Sequence, residues 1–382
     1  MSLRAFQSTW FDATWKTIFG EYHVVDVLCA LLAGSEADAS LVLESLATVT
    51  DQAEVAVAVA AAELPAPRAG EKLLDVVMKA ASCVDEDEED EAAAATLILS
   101  HLALVNELAN ELVDRGAVAR FCALASVAPS AGGAAMATRK PLMLLMGNLA
   151  RSEEQCVALM KAGFCEAAVF NLRLVADDDD ELPLQHAILG SLRNLAIARP
   201  VRAVLRTSGV LDELLPILAS PHQPMQFNAA AIARHLVKRP AAAELETPEG
   251  AEDASGAAEA ALYLATVPGF VARLAELAAV EAVNVKMESA RALAALAATP
   301  ESSMATGAAL PSLAPFTVLL ESEHAVLHTE AVAALGSLAA VSPPPEAFSS
   351  SDARDGCVAA LDALGESALD AVAVAASIRG TA

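Results

Sequence analysis

The stretch Leu184-Gln-His-Ala-Ile-Leu-Gly-Ser-Leu-Arg193-Asn194-Leu195 returns, altered, as Met225-Gln-Phe-Asn-Ala-Ala-Ala-Ile-Ala-Arg234-His235-Leu236. A shift of 41 residues (225 − 184) lays Gln185 on Gln226, Arg193 on Arg234 and Leu195 on Leu236. Within the first string, Leu184, Ile188, Leu192 and Leu195 recur every three or four residues, which is one face of an α-helix. A helical pattern that comes back after about forty residues is the mark of stacked repeats. Each repeat of such an array packs only on its neighbours, so 382 residues need not divide into separate domains.

Working outward, the same position recurs at His101, Asn148, Asn194, His235, Ala295 and Ser337, with separations of 47, 46, 41, 60 and 42 residues. Gly116, Gly163, Gly209 and Gly269 mark the turn before the second helix of successive repeats, where a left-handed conformation is easiest for glycine. The expected fold is all-α: an armadillo-type right-handed superhelical solenoid of about six or seven repeats with helical caps. The predicted organisation has N-terminal cap helices over residues 1–34, with Phe6, Trp10, Thr14 and Ile18 at four-residue spacing. The repeat array follows over 35–340, its first repeat running from about Ser40 to Ala80. A proline-rich break at Val341-Ser-Pro-Pro-Pro345 and a C-terminal capping helix complete residues 341–382. The acidic strings 85–91 and 177–181 read as solvated loops. The 60-residue separation exceeds the 41-residue period by 19 (60 − 41), and the alanine-, proline-, glycine- and glutamate-rich stretch of about 240–260 reads as a disordered insertion.

Composition narrows the function. Hydrophobic residues make up 55% of the chain but aromatics only 4%, which suits closely packed helices rather than sheets. With 24 basic and 50 acidic residues the formal charge is −26, which argues against nucleic acid and anionic membrane surfaces and favours a partner with a basic patch or tail. The six cysteines are scattered and read as reduced, buried thiols of a cytoplasmic or nuclear protein. No secretory signal is evident at the start. The longest apolar run, Ala92 to Val105, is too short to span a bilayer. There is no glycine-rich phosphate loop, no HExxH and no Gly-x-Ser-x-Gly elbow, so no catalytic site, metal site or cofactor is expected.

The candidate binding residues sit on the third helices, which line the concave groove of an armadillo superhelix: His101, Asn148, Arg193, Asn194, Arg234 and His235. Asparagine is a poor helix-interior residue, because its amide competes with the backbone. Two of them at one repeat position have two explanations: recognition of a partner's backbone, or an amide that ties adjacent repeats together. In a chain this acidic, Arg193 and Arg234 are expected to pair with carboxylates. The acidic loop Asp177, Asp178, Asp179, Asp180 and Glu181 is the candidate dock for a lysine-rich tail.

These strings resemble a known family. Gly147-Asn-Leu-Ala-Arg-Ser152, with Cys156 and Met160-Lys-Ala-Gly163, resembles a run of the small-GTPase GDP-dissociation stimulators. The stretch Leu184 to Ile197 is closer still. The resemblance covers about Pro141 to Lys238 and fades toward Ala340. It implies an armadillo protein that binds Rho- and Rap-type small GTPases bearing a polybasic, prenylatable C-terminus. It also implies that such a protein promotes GDP release or chaperones the GTPase, with Asn148 and Asn194 as groove asparagines and Arg193 beside them. The other reading of the same residues is a general armadillo scaffold for basic peptide segments, without effect on nucleotide.

Overall fold

The structure, a computed structural model, describes residues 24–34, 38–127, 136–175, 181–240, 242–342, 345–349, 351–364 and 370–380. Among them are 22 α-helices and no strand beyond one isolated bridge between Glu63 and Lys72. The chain divides into two units, Met1–Ala198 and Arg199–Ala382.

In the first unit, α1 (Val24–Ala33) and α2 (Ala39–Val49) precede three helix triplets. These are α3 (Ala53–Ala61), α4 (Leu73–Ala80) and α5 (Glu89–Leu102); then α6 (Asn106–Asp114), α7 (Ala117–Ala125) and α8 (Met136–Leu149). The last is α9 (Glu153–Lys161), α10 (Phe164–Leu174) and α11 (Leu182–Ile197). The third helices stack in order, α2 on α5, α5 on α8 and α8 on α11. The helix Ala39–Val49 therefore has the place of a third helix, and the first complete triplet runs from Ala53 to Leu102 rather than from Ser40 to Ala80.

The second unit repeats the plan. Its triplets are α12 (Arg199–Thr207), α13 (Val210–Ala219) and α14 (Gln223–Val237); α15 (Pro248–Thr266), α16 (Phe270–Leu277) and α17 (Val283–Ala298); and α18 (Pro300–Ala309), α19 (Ala314–Leu320) and α20 (Ala325–Ala339). Helix α14 stacks on α17 and α17 on α20. Where one capping helix is expected, two follow. Helix α21 (Ser351–Leu364) packs on α19, and α22 (Ala371–Gly380) packs on α20.

Local chemistry explains the regularity. Gly116, Gly163, Gly209 and Gly269 all hold φ between 79° and 88°, and each is the N-cap of a second helix. The residue after each of them (Ala117, Phe164, Val210, Phe270) is fully buried. The left-handed turn thus aims the next helix into the core. Closer stacking depends on small side chains. A Cβ added at Gly147 would lie 2.5 Å from the Ser191 Oγ, which itself donates to the Met143 carbonyl at 2.7 Å.

Two expectations need correction. The stretch 240–260 is not a disordered insertion, because Pro248 to Thr266 forms α15, a first helix of 19 residues where α6, α9 and α12 have 9. Thr247 caps it by accepting from the Gly250 N–H at 3.0 Å, and Pro248 follows at the first helical position. Its alanines are interior residues: Ala254, Ala257, Ala260 and Ala261 are all buried. Nor is 85–91 wholly a loop. Asp85 caps a 3-10 turn over Glu86–Glu88, and Glu89, Asp90 and Glu91 form the first turn of α5, where helix-end N–H groups favour acids. The docking residues Asp177 to Asp180 and the N-terminal stretch 1–23 lie outside the described residues. Glu181 is described and immediately precedes α11.

Candidate functional site

The last four carbonyls of an α-helix have no partner within it. In the first unit several of those carbonyls accept from backbone N–H groups just past the helix end, and asparagines of the following repeat reach one on each of α5 and α8. Asn148 Nδ2 on α8 donates to the Ser100 carbonyl near the end of α5 at 2.9 Å. Asn194 Nδ2 on α11 repeats the bond one repeat later, to the Gly147 carbonyl near the end of α8 at 3.1 Å. His101 Nδ1 lies 3.1 Å from the Oγ1 of Thr50, the residue that ends α2. The three aligned positions His101, Asn148 and Asn194 therefore do stand in register, each touching the end of the third helix before it. Of the two explanations for the asparagines, the tie between repeats is the one their amide groups make.

Arg193 is half-buried and donates from Nη2 to Asn194 Oδ1 at 3.2 Å. Asn148 Oδ1 accepts no hydrogen bond from a described residue. Arg151, three residues after Asn148, was not among the candidates, though it belongs to the same string. Its Nη1 donates to the carbonyls of Ala103 and Leu104, just past the end of α5. Its signal in the sequence is its register, shared with Leu104 and Ile197 three residues after His101 and Asn194.

Two of the hollows on this unit are lined by these third-helix positions. One, of about 720 Å³, lies over α2, α5 and α8, with Leu97, Pro141 and Leu144 among apolar lining residues and Glu44, Asp51 and Asp90 as acids beside His101 and Lys140. The other, of about 470 Å³, lies at the C-terminal ends of the third helices and is lined by Leu104, Asn148, Arg151, Glu153, Asn194 and Ile197.

The second unit treats its third-helix face differently. Arg234 on α14 forms a bidentate pair with Glu288 on α17, both contacts at 2.8 Å, and each residue is only 8% exposed. Arg291 on α17 makes the same fork with Glu330 on α20, again at 2.8 Å twice. The expected carboxylate partner of Arg234 is thus Glu288, and a partner protein would have to displace it to reach the guanidinium. His235 is held neutral. Burial, then the charge of Arg234 and of Arg202, Lys238 and Arg291, pushes its pKa down to about 3. Arg234 Nη2 lies 3.1 Å from His235 Nε2, while the buried Nδ1 has no partner.

The first helices of this unit hold another buried pair. Arg206 on α12 reaches Asp253 on α15 at 2.7 Å and the Leu236 carbonyl at 2.8 Å. This ion pair ties α15 to α12. No cluster of histidine, cysteine and carboxylate side chains among the described residues has metal-holding geometry. Five cysteines are buried, and burial drives the thiols of Cys122 and Cys165 up to about 12. Cys83 differs from the expected buried thiol: it is half-exposed and donates to Glu88 at 3.0 Å. No single helix among the described residues is long and apolar enough to cross a membrane; two bent pairs pass by length and composition, and both consist of helices of the stacked repeats.

No family model matches this sequence. Known proteins do. The chain is 28% identical over 274 residues to Rap1 GTPase-GDP dissociation stimulator 1-B of Xenopus laevis and 27% identical over the same length to the 1-A protein. Its curated relatives are GTPase-GDP dissociation stimulators. A third, vimar of Drosophila melanogaster, is 32% identical over 90 residues, 22% of this chain and 13% of its own. The two Xenopus matches cover 71% of this chain but 42% of the relatives, so the chain spans less than half the length of the curated relatives it matches. Solved structures give the fold. An engineered protein superposes with a TM-score of 0.56 at 22% identity, over 94% of this chain and 88% of that one. A designed armadillo repeat protein does so with a TM-score of 0.52 at 20% identity, over 69% of this chain and 99% of its own. The fold is an all-α armadillo solenoid.

Proposed function

We propose that this protein binds small GTPases of the Rap and Rho type in the cytoplasm and promotes release of their GDP, or chaperones them. The observation that carries the reading is the similarity to Rap1 GTPase-GDP dissociation stimulators across 71% of the chain. It acts as a regulator of another protein's nucleotide, without a catalytic site of its own.

Release of GDP requires that the regulator bind the nucleotide-free GTPase more tightly than the GDP-bound form, since a ligand shifts an equilibrium only by its differential affinity. The amide N–H groups of Asn148 and Asn194 already serve the repeat before them. Their part in this is to hold the third helices in register. The third-helix hollow of the first unit, with Glu44, Asp51 and Asp90 in its lining, supports docking of the polybasic, prenylatable tail beside the GTPase fold. The same hollow and the charge of −26 favour a second reading, a scaffold for basic peptides.

One experiment separates them. Rap- and Rho-type GTPases loaded with fluorescent GDP, with and without their basic tails, are mixed with the full chain. Accelerated GDP release supports the first reading, and tail-dependent binding without acceleration supports the second. If neither binding nor release changes for any GTPase, the proposal fails.

A further inference from the structure

We propose that the hollow at the C-terminal ends of α5, α8 and α11 docks an extended protein segment that carries a carboxylate between two apolar side chains. The inference does not depend on the GTPase reading. It starts from one arginine. Arg151 is exposed and forms no ion pair with any described carboxylate, in a chain with 50 acidic residues. Most other arginines of the described chain are paired: Arg68 with Glu71, Arg115 with Glu111, Arg234 with Glu288, Arg291 with Glu330. Glu153 lines the same hollow but sits in the first turn of α9, where helix-end N–H groups favour it.

The guanidinium of Arg151 is nonetheless held still. Two carbonyls, of Ala103 and Leu104, accept from Nη1 and leave Nη2 and Nε for a partner. A planar fork fixed in this way is pre-organised for a carboxylate, because less side-chain freedom is lost when the bond forms. On either side, one repeat away in each direction, stand Leu104, 49% exposed, and Ile197, 54% exposed. Both line the hollow with Arg151, which offers an apolar contact on each side of the cation.

The spacing gives the occupant its sequence pattern. Packed helices lie about 8–10 Å apart. A segment in the polyproline II conformation advances about 3.1 Å per residue with about three residues per turn, so side chains three apart share a face and one repeat step takes about three residues. The matching segment is apolar-x-x-Asp/Glu-x-x-apolar.

The test uses the full chain and three fluorescein-labelled peptides of sequence Ser-Leu-Ser-Ser-Glu-Ser-Ser-Leu-Ser, with Glu, Gln or Lys at the centre, read by anisotropy. The Glu peptide should bind about two- to fivefold more tightly than the Gln peptide, the upper range for an exposed ion pair, and the Lys peptide most weakly. Arg151→Gln should erase that order, whereas Ile197→Ser should weaken all three alike. Arg151→Lys guards against a folding defect, since it keeps the charge and loses the fork; an intermediate order is expected. Equal binding of the three peptides overturns the proposal. So does absence of binding by the Glu peptide up to about 1 mM, or an Arg151→Gln protein that melts earlier yet keeps the order.

Discussion

Replacing Asn148 and Asn194 together by alanine tests what the aligned asparagines do. Each loses one N–H···O=C bond, of 2.9 Å to Ser100 and 3.1 Å to Gly147; the Gly147 carbonyl keeps the Ala150 N–H at 3.3 Å, whereas Ser100 loses its side-chain donor. Both asparagines are half-buried, so water reaches the vacated site only in part. A net loss of about 1 kcal/mol per bond is appropriate, about 2 kcal/mol for the pair. For a unit of this size, each kcal/mol lowers Tm by about 2–4 °C, so the double variant should melt about 4–8 °C early. The two losses should not simply add, because Asn194 bonds the residue next to Asn148 and the two share α8. Calorimetry of both single variants and the double one measures this directly. Asn194→Asp sharpens the test. It keeps the shape but sets a carboxylate against the Gly147 carbonyl, and should cost more than alanine. A double variant that melts with the wild type would refute the inter-repeat tie. If that variant also lost GDP release, the asparagines would be recognition residues.

Glu288→Gln should destabilise the second unit by about 2–4 kcal/mol, because Arg234 is left buried without its counter-charge; Glu330→Gln, on a half-exposed pair, should cost less than about 1 kcal/mol, both read by urea unfolding. The His235 pKa is depressed from 6.5 to about 3 in the folded state, so the unfolded chain binds the extra proton first. Stability from this group is therefore present above about pH 6.5 and is lost as pH falls toward 3, and His235→Asn should flatten that slope in pH-dependent melting. Backbone amides of α15 should be protected in hydrogen exchange, and Asp253→Asn should remove much of that protection by breaking the pair with Arg206.

What the sequence by itself determined was everything that follows from local rules. The 41-residue shift between the strings ending at Leu195 and Leu236 identified the repeat, because a buried helical face must recur wherever the same neighbour is met. The four turn glycines were legible for the same reason: a left-handed residue is a property of one position. The register of His101, Asn148 and Asn194 was legible too. The direction of their hydrogen bonds was not, since an amide on a helix faces either a partner or the repeat beneath it, and only packing chooses. Tertiary structure alone also decided the fate of residues 240–260. Alanine and glutamate lack the bulk to announce a core helix, yet Asp253 meets Arg206 from 47 residues away and the small side chains let the helices close. Arg234 and Glu288 lie 54 residues apart, a spacing that belongs to no period of the chain. The sign of Arg151's environment was hidden likewise: whether a charge is paired depends on which side chains the stack brings near it, and those come from different repeats.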